Sequence, residues 1–159
     1  MINTSKSSIV GLIFLALYVI QFVFEIEWNW LELLQQEEMY KRWSGLVLAL
    51  FIAFQWLLTV TRVQKKLRTY ALKMNNLHKW VGAISPLFFY AHCTKLGYGY
   101  LLLLSYIFLA NTFLGYINLD VIKNKSEFVF KTWMITHVAF SIIITILMFF
   151  HIGVVFYYK

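Results

Sequence analysis

The sequence predicts an all-α membrane protein: five transmembrane helices in a bundle, flanked by interfacial helices. Three observations lead there. Of 159 residues, 61% are hydrophobic and only 13% charged, with a mean hydropathy of +0.70, whereas a soluble chain carries about a quarter charged residues. Five apolar stretches (9–26, 43–60, 77–94, 98–117 and 133–158) each approach the ~20 residues a helix needs to cross hydrocarbon. One proline and seven glycines leave no room for a flexible linker, so the chain reads as a single domain. Inside lipid, helices satisfy every backbone amide within their own segment, which strands outside a closed barrel cannot do.

The first stretch follows Lys6 and has the outline of a signal sequence. It lacks a small-residue cleavage pattern, and Glu25 and Glu27 follow at once, so a retained signal-anchor is expected. Next comes WNWLELLQQEEMYKRW (28–43), with aromatic ends and an acidic middle, as expected of a helix lying in the outer interface or of a lid over an outer site. After the second stretch, QKKLRTYALKMNNL (64–77) is its basic counterpart, an anchor on the inner face or a docking surface for a cytoplasmic partner. The third and fifth stretches carry all the histidines, and the fifth is long enough to tilt or protrude.

A net charge of +7 would point to nucleic acid in a soluble protein. Here the basic residues flank apolar spans, so topology accounts for them and no nucleic-acid partner is expected. Eight basic residues (Arg62, Lys65, Lys66, Arg68, Lys73, Lys123, Lys125 and Lys131) fall in the loops assigned to the inside. Lys41, Arg42 and Lys95 fall on the other side, together with Glu25, Glu27, Glu32, Glu37 and Glu38. The N-terminus is therefore expected in the cytoplasm and the C-terminus outside, in a cytoplasmic (inner) membrane. The lone Cys93 excludes an intramolecular disulfide and any CxxC metal or c-type haem attachment.

HKWVGAISPLFFYAH (78–92) and HVAFSIIITILMFFH (137–151) each begin and end on histidine, and these four are the only histidines. Fourteen residues of helix advance about 21 Å and come within about 40° of four full turns, so each pair shares one face, one ring near each membrane surface. As third and fifth spans, the two helices run in the same direction. His78 then lies level with His137 on the inner side, and His92 level with His151 on the outer. Intramembrane imidazoles are costly and default to function. Two matched pairs stacked across a bilayer suit two b-type haems, each held between two histidines with no axial position left open. A pathway for bare metal ions is the competing reading. It normally calls for carboxylates, and neither histidine span contains Asp or Glu.

Gly82 lies one turn beyond His78, where a missing side chain lets a flat macrocycle approach. Pro86 cannot donate to the Gly82 carbonyl and should kink the helix. Ser85, Phe89, Ile144 and Met148 fall between the two levels. Arg62, Arg68, Lys79 and Lys131 inside are candidates for holding haem propionates; outside, the candidates are Lys95, Arg42, Trp28, Trp30 and Trp43.

HKWVG (78–82) followed by His92, and W-x3-H-x13-H from Trp133 to His151, resemble the two histidine helices of the ferric reductase-like transmembrane domain. That domain is shared by ferric reductases and NADPH oxidases, and the similarity extends over about 80 residues, from His78 to Tyr158. The resemblance implies two stacked b haems (inner His78 with His137, outer His92 with His151) passing electrons from cytoplasm to exterior. Family members commonly have six spans and a flavin- and NADPH-binding region; five spans are evident here, and no G-x-G-x-x-G fingerprint occurs. A separate donor, a cytoplasmic reductase or a quinol, and an extracytoplasmic acceptor are expected. The leading expectation is thus a diheme membrane cytochrome. Its alternatives are an oxidoreductase in its own right, acting on quinol, ferric chelates or oxygen, and a membrane scaffold or metal-handling protein without haem.

Overall fold

The computed structural model describes residues 6–117 and 126–157, and its regular structure there is helical throughout. In chain order the elements are α1 (Lys6–Val23), α2 (Asn29–Gln36), α3 (Glu38–Gln55), α4 (Leu57–Val63), a 3-10 turn (Lys65–Tyr70), α5 (Ala71–Ala83), α6 (Ser85–His92), α7 (Tyr100–Tyr116) and α8 (Glu127–Tyr157). Lys123, Lys125 and the expected end of the last span at Tyr158 lie outside the described residues.

Among the described residues, three helices are long and apolar enough to cross a membrane: α1, the continuous α3–α4 run from Glu38 to Val63, and α8. The fourth expected span is the shorter apolar helix α7. Large apolar side chains point away from the protein along these helices, among them Leu17 (55% exposed), Leu50 (62%) and Ile146 (62%). Hydrocarbon, not water, is the solvent that accepts such a surface.

The third expected span is not one helix. It breaks at Ile84, whose backbone (φ −92, ψ 2) leaves helical geometry between α5 and α6. Pro86 is the reason: it has no amide to offer the Gly82 carbonyl, and its ring excludes the preceding turn. Away from water, that carbonyl, left with only the Ile84 amide within its own segment, takes a further donor. Tyr116, at the end of α7, supplies one, its hydroxyl donating to the Gly82 carbonyl at 2.9 Å. Pro86 is fully buried and Tyr116 nearly so. The Tyr116 ring lies so close to Gly11 of α1 that any Cβ there would overlap it. α1, α5, α6 and α7 therefore meet at the break.

The two polar segments also end differently from expectation. Glu37, in extended backbone (φ −71, ψ 126), divides 28–43 into the short helix α2 and the opening turn of α3, so the segment expected to be one interfacial helix is two helical pieces, the first covering 29–36. The basic segment is a 3-10 turn running into α5 rather than a surface helix. Between α6 and α7 the chain turns on Gly97, whose φ of 72 is one that L side chains rarely adopt.

α7 packs along α8, α1 covers α5, α6 and α7, and α3 lies against α6 and α8. The core they share consists of Tyr18, Leu48, Phe89, Leu96, Phe108 and Ile144, with the Phe89 and Phe108 rings stacked at 5.0 Å. Removing the hydroxyl that satisfies the broken helix tests this account. Tyr116→Phe should lower unfolding stability in detergent by about 1 kcal/mol, the net worth of a hydrogen bond lost at a buried carbonyl. An unchanged denaturation midpoint would show that Gly82 finds another donor.

Candidate functional site

The break at Ile84 re-aims α6 without separating the histidines. The His78 and His137 rings lie 6.3 Å apart between centres, and the His92 and His151 rings 6.4 Å apart. Early residue meets early and late meets late, so α5–α6 and α8 run in the same direction. Two imidazoles on opposite sides of one metal, each at a bond length of about 2 Å with the ring centre ~1.1 Å further out, have centres roughly 6 Å apart. Both pairs thus have the spacing of rings that share an axially bound metal, at two separate levels. Among the described residues no group of three or more His, Cys, Asp or Glu converges. Two imidazoles alone make a poor cage for a bare ion, whereas a haem brings its own equatorial nitrogens and asks only for two axial ligands.

Each pair opens onto its own cavity. The outer one, about 720 Å³, is lined by His92, His151, Gly45, Phe89 and Met148, with Lys41, Arg42, Lys95, Glu32 and Glu38 at its polar margin. The inner one, about 280 Å³, is lined by His78, His137, Gly82, Gly115, Arg62 and Lys79. Enclosed ligand sites span roughly 300–1,000 Å³, so the outer cavity falls within that range and the inner at its lower edge. Ile52 and Phe108 line both.

The outer rings are held through Nδ1. The Ser44 hydroxyl lies 3.1 Å from His92 Nδ1, and the Tyr100 hydroxyl 3.4 Å from His151 Nδ1. On the inner side the rings are held by packing. Trp133 stacks parallel on His137 at 5.8 Å and is itself fixed by its indole N–H donating to the Leu114 carbonyl at 2.9 Å. Four atoms around this cavity are buried without a hydrogen bond among the described residues: His78 Nδ1, His137 Nδ1, Gln55 Oε1 and Asn111 Oδ1. Buried polar atoms are normally paired, so a cluster of orphans marks a place built for something polar.

Of the residues singled out from sequence, Arg62 and Lys79 line the inner cavity, and Arg62 donates to Asn75 Oδ1 at 3.1 Å. Arg68 is exposed on the 3-10 turn and lines neither cavity. Gly82 lines the inner cavity, where an added Cβ would meet only Gln55 Nε2, at 3.8 Å. Lys131 pairs with Glu127 at 2.8 Å. Outside, Arg42 pairs with Glu38 and lies over the Phe156 ring. Lys95 pairs with Glu32 at 2.7 Å and Glu27 at 3.5 Å, and these carboxylates, Glu32 foremost, hold its ammonium above its ordinary range. Trp28 and Trp30 pack edge to face on each other and Trp43 is exposed; none of the three lines the cavity.

Sequence reasoning missed several neighbours of the rings. Gly45 of α3 faces His92 so closely that a Cβ would sit 2.9 Å from its Cε1, and Gly115 of α7 stands 3.5 Å from His137 Cε1 by the same measure. A glycine inside an apolar span was the available signal. Ser44, Tyr100 and Phe108 gave none, because only the tertiary fold brings α3 and α7 to the histidine helices.

α2 closes the outer level from above. Gln35 donates to the carbonyls of Tyr90 (2.8 Å) and Ala91 (3.2 Å), and its own oxygen accepts from the Thr94 amide and hydroxyl. These groups sit at the frayed end of α6, next to His92. No family model, curated protein or solved structure matches the chain.

Each lost hydrogen bond costs roughly 1 kcal/mol. Gln35→Ala should therefore speed amide exchange across 29–36 and 93–96 by about 10-fold or more while leaving α7 and α8 protected. Unchanged exchange would mean that α2 is held by its apolar face alone.

Proposed function

We propose that this chain is a diheme b-type membrane cytochrome that carries electrons across the bilayer between a separate donor and an acceptor. The observation that carries this reading is the double pairing of histidines, 6.3 and 6.4 Å between ring centres, on two helical segments of the same direction. When bound, each haem would supply a one-electron carrier. His78 and His137 would hold the inner haem, His92 and His151 the outer. Gly82 and Gly115 leave room at the inner level and Gly45 at the outer. Arg62 and Lys79 line the inner cavity and Lys41, Arg42 and Lys95 the outer one, and these are the candidates for holding propionates.

The chain crosses the membrane five times in this reading: α1, α3–α4, the broken pair α5–α6, α7 and α8. The basic residues flanking the inner spans favour a cytoplasmic N-terminus. Two contacts favour the crossing count, because they tie the first loop to the third: the Lys95–Glu32 ion pair and the Gln35–Thr94 hydrogen bonds. Such loops lie on the same side only if an even number of crossings separates them. The resemblance to the ferric reductase-like domain implies flow from a cytoplasmic reductase or quinol toward an extracytoplasmic acceptor. The basic segment from Arg62 to Lys73 is where an acidic donor would dock.

His92→Ala and His151→Ala should each lose about half of the bound haem and keep the inner one. Full retention in either variant would break the pairing. For topology, Gln36→Cys and Asn76→Cys in a Cys93→Ser background should react oppositely with a membrane-impermeant maleimide on intact cells, position 36 labelled and 76 protected. The reverse pattern would invert the electron path.

A further inference from the structure

The Ser44 hydroxyl has one proton and already spends it. It donates to the Tyr40 carbonyl at 2.7 Å, with the Lys41 carbonyl at 3.3 Å sharing the same direction. Toward His92 Nδ1, 3.1 Å away, Ser44 Oγ can therefore only accept. It follows that Nδ1 carries the imidazole proton and Nε2 carries the free lone pair. In a neutral imidazole the two tautomers compete, and only the one protonated at Nδ1 offers Nε2 to a metal. The next residue makes the contact possible. With no side chain at Gly45, the backbone of α3 approaches Cε1, the carbon between the two ring nitrogens, to where a Cβ would stand only 2.9 Å away.

We infer that Ser44 is a positioning residue for the outer histidine pair, locking His92 in the tautomer that leaves its Nε2 lone pair free for a metal. The inference rests on the haem reading for its purpose, but its content, the location of one proton, does not. A hydrogen-bonded Nδ1–H also makes the ring a stronger donor to a bound metal, favouring the ferric state. No hydroxyl stands against the Nδ1 atoms of the inner rings among the described residues.

The test uses the purified full chain labelled with 15N-histidine, as wild type, Ser44→Ala and Ser44→Thr, with His92→Ala to assign the signals. Wild type should show His92 protonated at Nδ1. Ser44→Ala should lose that preference, and Ser44→Thr, which keeps the hydroxyl, should restore it. On haem-loaded protein, Ser44→Ala should weaken outer haem retention by about 10-fold and raise the outer midpoint potential, leaving the inner haem unchanged. A His92 ring protonated at Nε2 in wild type, or the same tautomer in wild type and Ser44→Ala, overturns the inference. Absence of haem from wild type with the tautomer as stated would instead overturn the function proposed above and leave Ser44's role standing.

Discussion

The architecture depends on one constraint: two histidine-bearing segments must run in the same direction, side by side. Neighbouring membrane helices joined by short loops run antiparallel, so a returning helix has to separate them. α7 is that helix, and it packs along α8 while its Tyr116 reaches back to α5. The pairing of His78 with His137 and of His92 with His151 needs this return. A chain that went straight from α6 to α8 would bring His92 to His137 instead. The two levels of polar chemistry thus follow from connectivity before any ligand is considered.

Both levels use the same two helical segments but secure their rings by different physics. At the outer level, where the loops α2 and 93–99 supply polar groups, hydroxyls contact the Nδ1 atoms and the Gln35 side chain closes the end of α6. At the inner level, stacking by Trp133 fixes the ring plane of His137, and several polar atoms are left without partners. Phe89 and Phe108 lie between, stacked, with Phe108 lining both cavities. Stacked aromatic rings therefore lie between the two sites, together with paired hydroxyls such as Ser85 and Thr145, and polar groups gather at each site. That arrangement suits charge movement between two fixed points better than passage of a hydrated ion, which would need a continuous polar path.

The helical character of the chain and the identity of the paired histidines were legible because both are periodic: long apolar runs, and a repeat of fourteen residues near a whole number of turns. Pro86 announced a disturbance in α5–α6, but not that the helix would break outright or that Tyr116 would satisfy the Gly82 carbonyl. That answer depends on a residue 34 positions away. The 28–43 segment read as one interfacial helix because its aromatic and acidic residues are continuous; the backbone at Glu37 divides it, and nothing in side-chain polarity marks that division. Arg68 resembles Arg62 in sequence, yet the 3-10 turn carries it away from the cavity that Arg62 lines. Ser44 and Gly45 stayed hidden for the plainest reason: their importance comes from α3 meeting His92, a contact between distant parts of the chain.

The central claim is that each histidine pair holds one haem. The most direct measurement is a reduced-minus-oxidised absorption spectrum of the purified protein, taken with its haem-to-protein ratio. The account predicts a low-spin b-type spectrum at two haems per chain. A ratio of one, a high-spin spectrum with an open axial position, or no haem in a folded preparation would contradict it.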